Sequence, residues 1–131
     1  MTPEQLALRA RIFEAFASTG GPPDLPDAPD LRALAEQHVV VLDEAARVVM
    51  AHPFAAPPPH RAAAELTRVV ARSGPAPGVW HGNCAWDGLG IAAALGLDGA
   101  VVESGGITTD EAAFFHVGVP ARQWWDDIGH T

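Results

Sequence analysis

Lysine and tyrosine are absent from this chain of 131 residues, and cysteine occurs once. A single thiol excludes an internal disulfide, so packing must hold the fold, and a reducing cytoplasm is the expected compartment. Without lysine, all the basic side chains are arginines, eight against sixteen Asp plus Glu, for a net charge of -8. Such a chain is repelled by phosphate backbones, and no nucleic-acid partner is expected. No apolar run approaches the roughly 20 residues of a membrane span, and the amino terminus does not follow the basic, apolar, small-residue order of a signal peptide. No membrane partner is expected either. The sequence also has no phosphate loop, dinucleotide fingerprint or Gly-x-Ser-x-Gly elbow, so no cofactor is expected. The six histidines, at positions 38, 52, 60, 81, 116 and 130, form neither a helical pair nor a Cys/His zinc spacing. A structural metal is not expected.

What is present suffices for a core, since 48% of the residues are hydrophobic. Thr2 to Ala17 reads as a helix, with Thr2 as cap, Pro3 in the first turn and Leu6, Ile12, Phe13 and Phe16 as its apolar face. A Gly/Pro/Asp loop from Thr19 to Pro29 follows, then a short helix from Asp30 to Gln37 with Leu31, Leu34 and Ala35 inward. Val39 to Leu42 and Arg47 to Met50 read as strands around the loop Asp43-Glu44-Ala45-Ala46. Consecutive prolines make Ala55 to Pro59 the expected linker. Ala62 to Arg72 suits helix by its alanines and strand by Leu66, Val69 and Val70. Ala100 to Glu103 and Ala113 to Val119 read as strands with Gly105-Gly106 as a turn, and Pro120 opens a last helix ending near Ile128.

The chemistry concentrates in Asn83-Cys84-Ala85-Trp86-Asp87-Gly88-Leu89. Val79 and Trp80 read as the end of a strand, Gly82 and Asn83 as a turn, and Asp87 to Leu95 as an apolar helix closed by Gly96. Cys84 would then face a helix amino end, where free backbone N–H groups favour a thiolate. Asp87, at i+3, falls on the same side of a helical turn and offers a carboxyl proton. The plainer alternative is a cysteine packed as a small hydrophobe and an aspartate acting as a helix cap. Spacing alone leaves both open. An imidazolium at His81 would favour a thiolate further, against the alternative of an exposed or backbone-bonded histidine. Trp86, beside the cysteine, is the candidate pocket wall. Of the adjacent Trp124 and Trp125, helical geometry sends one into the core and the other over a cleft or partner.

The segment from Trp80 to Ile91, continued by Ala92-Ala93-Ala94-Leu95-Gly96, resembles the active-site segment of the alkylmercury lyase (organomercurial lyase) family. Val48-Val49-Met50-Ala51-His52-Pro53-Phe54 resembles the strand and loop leading into that family's catalytic domain. Phe115-His116-Val117 and the stretch from Val119 to Ile128 resemble its closing strand and helix. The resemblance implies an α+β fold: a shortened winged-helix-like module of helices and hairpin over residues 1–54, a Pro-rich linker over 55–61, and a catalytic-type domain of small mixed or antiparallel sheet with helices over 62–131. It also favours a strand from about Leu66, paired with Val79 to His81.

By the same resemblance, Cys84 corresponds to the cysteine whose thiolate captures mercury, as a transient metal ligand, and Asp87 to the aspartate that protonates the departing carbon. The family's second cysteine has no counterpart. Phe115 and His116 stand where it would be sought, and they join Trp86 and His81 as expected substrate-binding residues. Mercury prefers sulfur, so His116 would be a poorer ligand than an external thiol. The implied activity is thiol-dependent protonolysis of a carbon–mercury or related carbon–heteroatom bond in a small organometallic or thiol-reactive substrate. Two other expectations fit the single cysteine: a protein that captures a soft metal or thiol-reactive ligand without turnover, and an accessory subunit. The stretch between Val102 and Phe114 is short for the family, which would leave the pocket open or its wall to a protein partner or second copy.

Overall fold

The structure, a computed structural model, describes residues 1–59, 66–72, 78–97 and 99–108. These form an α+β fold of three helices and one open antiparallel sheet of seven strands. The expected strand from Ala113 to Val119 and the helix from Pro120 lie outside the described residues.

Helix α1, Pro3–Thr19, begins with a complete capping box. The Thr2 hydroxyl accepts from Gln5 N at 3.2 Å, and Gln5 Oε1 accepts from Thr2 N at 3.0 Å. Two of the orphan donors at the helix start are thereby satisfied. The helix stops at Gly20, whose φ of 77° is the left-handed conformation that glycine adopts without strain. Helix α2, Pro29–Glu36, turns Leu31 and Leu34 into the core. Strands β1, Val41–Leu42, and β2, Val48–Ala51, form the expected hairpin, with Asp43 accepting from Ala45 N and Arg47 N in its loop.

Strand β3, Phe54–Ala55, pairs with β2 and carries the sheet onward. Ala55 and Ala56 lie in the stretch expected to be linker, yet both are fully buried, and Ala56 N donates to Val49 O at 2.8 Å. Their small apolar side chains suit a sheet interior, and the proline run that follows turns at Pro58 and Pro59. Ala55 also pairs with His81 of strand β5, Val79–Gly82, which pairs along its length with strand β4, Thr67–Val70. The expected pairing of a strand near Leu66 with Val79 to His81 is thus present. Strand β6, Val101–Ser104, lies beside β4, and Gly105-Gly106 turns it directly into a further short strand, β7, Ile107–Thr108. One sheet, in the order β1-β2-β3-β5-β4-β6-β7, therefore runs through both halves of the chain.

Directly opposed residues in an antiparallel sheet share a face. Trp80, Val69 and Val102 are opposed in register and are all buried. They join Ile12, Phe16, Leu31, Leu34, Phe54 and Ile91 in a core that includes all three helices. Helix α3, Ala85–Ala94, packs on this face through Gly88. Phe54 stacks on Phe16 with ring centroids 5.6 Å apart and meets Phe13 edge-on at 6.4 Å, which fixes α1 against β3. No helix among the described residues is long and apolar enough to cross a membrane.

Candidate active site

The site forms where β5 ends and α3 begins. Gly82 closes β5 and can do so only without a side chain, because a Cβ there would come within 2.7 Å of Asp87 Cβ and 3.3 Å of Pro53 O. Cys84 is the N-cap of α3, in extended conformation with φ -148° and ψ 173°. Its carbonyl starts the helix by accepting from Gly88 N at 3.1 Å, while its side chain makes no capping hydrogen bond. The thiol is exposed. An exposed cysteine therefore stands at the amino end of α3.

Asp87 stands at the third helical position and is one of two buried polar residues among those described, 7% exposed. Its Oδ2 accepts from Asn83 N at 3.0 Å, reaching back across the helix start. This bond is close kin to the return arm of a capping box and fixes the carboxyl plane. The other oxygen, Oδ1, lies 3.4 Å from Nδ1 of His52. A contact of that length is long for a hydrogen bond. Cys84 and Asp87 thus belong to the same first turn, one exposed and one sheltered.

His52 is the participant that the sequence pattern did not single out. It sits in the turn between β2 and β3, 35 residues before its partner. Contact between this turn and α3 depends on Gly90, whose absent Cβ would lie 3.3 Å from Pro53 Cβ. A histidine followed by proline directly after an apolar strand was the available signal: the pair marks a tight turn that sets the ring outside the strand.

Trp86 follows Cys84 and is 56% exposed, and Leu89, one turn on, is also exposed. The two give α3 an apolar outer edge beside the thiol. His81 is placed differently. Its register partners are Arg68 and Ala55, and strand alternation sends it to the sheet face opposite Trp80, away from the face on which α3 packs. Burial, followed by the nearby Arg68 charge, lowers its pKa below 6.5 and favours neutral imidazole. The expected imidazolium beside the thiol is therefore not the form this environment favours. Phe115 and His116 lie outside the described residues.

Among the described residues, no three His, Cys, Asp or Glu side chains gather as a metal site. A surface hollow of about 520 Å³, walled by Leu66, Arg68, Glu103 and Ile107, shares no residue with the Cys84 site. What the site offers is an exposed soft nucleophile and a sheltered carboxyl within one helical turn, with an imidazole behind the carboxyl. The chain matches no family model, no curated protein and no solved structure.

Proposed function

We propose that this protein is an alkylmercury-lyase-like enzyme that cleaves a carbon–mercury or related carbon–heteroatom bond by thiolate attack and proton delivery. The observation that carries the proposal is the pairing at the start of α3 of the exposed Cys84 thiol with the buried Asp87 carboxyl. In this reading the Cys84 thiolate displaces the labile ligand of an organomercurial and forms a sulfur–mercury bond. A thiolate from solution supplies the second sulfur. The carbon–mercury electron pair takes the proton of Asp87, which releases the hydrocarbon, leaves the metal on two sulfurs and leaves Asp87 as a carboxylate. The mercury is substrate throughout, and no resident cofactor is invoked.

The wider architecture is read in the same terms. Helices α1 and α2 with the β1–β2 hairpin correspond to a shortened winged-helix-like module, and the sheet from β4 onward to the catalytic-type domain. Arg32 and Arg47 of that module pair with Asp27 and Asp43, which supports a packing role over phosphate binding. The single cysteine supports a cytoplasmic setting with free thiols at hand.

The test is incubation of wild type and Cys84→Ser with a phenylmercury salt and excess small thiol, following benzene release. Repeated turnover that vanishes in the variant is the expected outcome, and equal release by both proteins would overturn the proposal. A second reading, capture without turnover, is favoured by the absence of any second cysteine in the chain. It would show as one mercury bound per Cys84 with no benzene formed.

A further inference from the structure

We propose that His52 is a proton relay for Asp87, reloading the carboxyl from water each time its proton has gone to carbon. The inference rests on the protonolysis reading above and concerns a step that reading leaves open. A proton donor that has discharged must be recharged, and the Asp87 side chain is only 10% exposed. Its two oxygens face different groups. Oδ2 receives the Asn83 backbone N–H, a donor that cannot release its proton at ordinary pH. Oδ1 faces His52 Nδ1 at 3.4 Å, and the His52 side chain is 42% exposed. An imidazole that meets water and a sheltered carboxyl together has the chemistry to carry protons between them.

The balance is simple. Imidazolium gives its Nδ1 proton to the Asp87 carboxylate, leaving neutral imidazole and carboxylic acid, and the imidazole then takes a proton from water or buffer. No bond to carbon or mercury is made by His52. It acts through Asp87, and it is held there by the β2–β3 turn, whose Pro53 lies against the side-chain-free positions Gly82 and Gly90.

The experiment separates metal capture from proton delivery in wild type, His52→Gln and His52→Ala with the same phenylmercury salt and excess thiol. Glutamine keeps a polar side chain of similar reach but cannot shuttle a proton, and alanine leaves room for added imidazole. Expected are unchanged formation of the Cys84 adduct, benzene release slowed roughly 10- to 100-fold in both variants, and recovery of His52→Ala by imidazole in the buffer. A purely structural role for His52 would not be rescued in that way. Benzene release by His52→Gln at the wild-type rate would overturn the relay while leaving the Cys84 and Asp87 chemistry standing. No benzene from the wild type would overturn both.

Discussion

The indole Nε1 of Trp80 donates to the carbonyl of Ala17 at 2.9 Å, joining the middle of β5 to the last turn of α1 across 63 residues of sequence. That carbonyl belongs to the final turn of a helix, where intrahelical partners run out, and Trp80 is fully buried. Trp80→Phe keeps most of the apolar bulk but removes the donor and leaves the carbonyl without this bond. It should destabilise the fold by about 1–3 kcal/mol. Urea unfolding is the measurement, with the midpoint falling at an unchanged slope. An unchanged midpoint would mean that the bond contributes nothing net.

Gly88 sets how closely α3 approaches the sheet. A Cβ at this position would lie 2.5 Å from Val102 Cγ1 and 2.7 Å from Thr67 Cγ2, both inside contact distance. Alanine is the better helix former by about 1 kcal/mol, so propensity alone predicts that Gly88→Ala stabilises. Two buried neighbours on β4 and β6 argue the reverse, because overpacking costs roughly 1–3 kcal/mol and the helix must lift. Lower stability in Gly88→Ala, with Gly96→Ala as a control whose Cβ meets nothing within 4 Å but whose φ of 60° carries its own strain, would show the close approach at work. The decisive comparison is therefore whether Gly88→Ala alone perturbs the reactivity of Cys84.

Much of this arrangement is legible in the sequence, for reasons that differ by element. Thr2 and Gln5 announce α1 because a capping box is a local, chemically specific pattern. Strand β5 and the start of α3 are legible because Gly82 and Asn83 interrupt two apolar stretches of different period. Strands β3 and β7, two residues each, are too short to show alternation, and only their partners reveal them. Ala55 and Ala56 look like linker beside three prolines, and tertiary burial overrides that composition. His52-Pro53 marks the turn locally, but the partnership of His52 with Asp87 depends on where that turn packs, 35 residues away in sequence. The face taken by His81 was readable from Trp80, since neighbours on a strand point to opposite sides.

His81 offers a test of that placement by titration. Its pKa lies below the ordinary 6.5, through burial first and the Arg68 charge second. In the unfolded chain the imidazole regains its ordinary value, so on acidification the unfolded state binds the proton first. The contribution to stability is full above about pH 6.5 and declines as pH falls through the lower folded value. Proton NMR of the ring should give a midpoint below 6.5, moving upward in Arg68→Gln. A midpoint at or above the ordinary value in the wild type would contradict the placement of His81 beside Arg68.

Cys84→Ser separates the role of sulfur from the role of the position. Serine is among the preferred N-cap residues because its hydroxyl can accept from a first-turn N–H, whereas the Cys84 side chain makes no such bond. The variant should therefore fold at least as stably as the wild type, with a gain of up to about 1 kcal/mol. Asp87→Asn keeps a side-chain oxygen for Asn83 N but has no carboxyl proton to give. These two variants should part in reactivity: Cys84→Ser loses mercury capture altogether, while Asp87→Asn captures as the wild type does and releases hydrocarbon roughly 100-fold or more slowly. Mass spectrometry of the adduct and gas chromatography of the hydrocarbon measure the two steps independently. If Asp87→Asn lost capture and stability together, the carboxyl would be a helix cap and the proton would have to come from elsewhere.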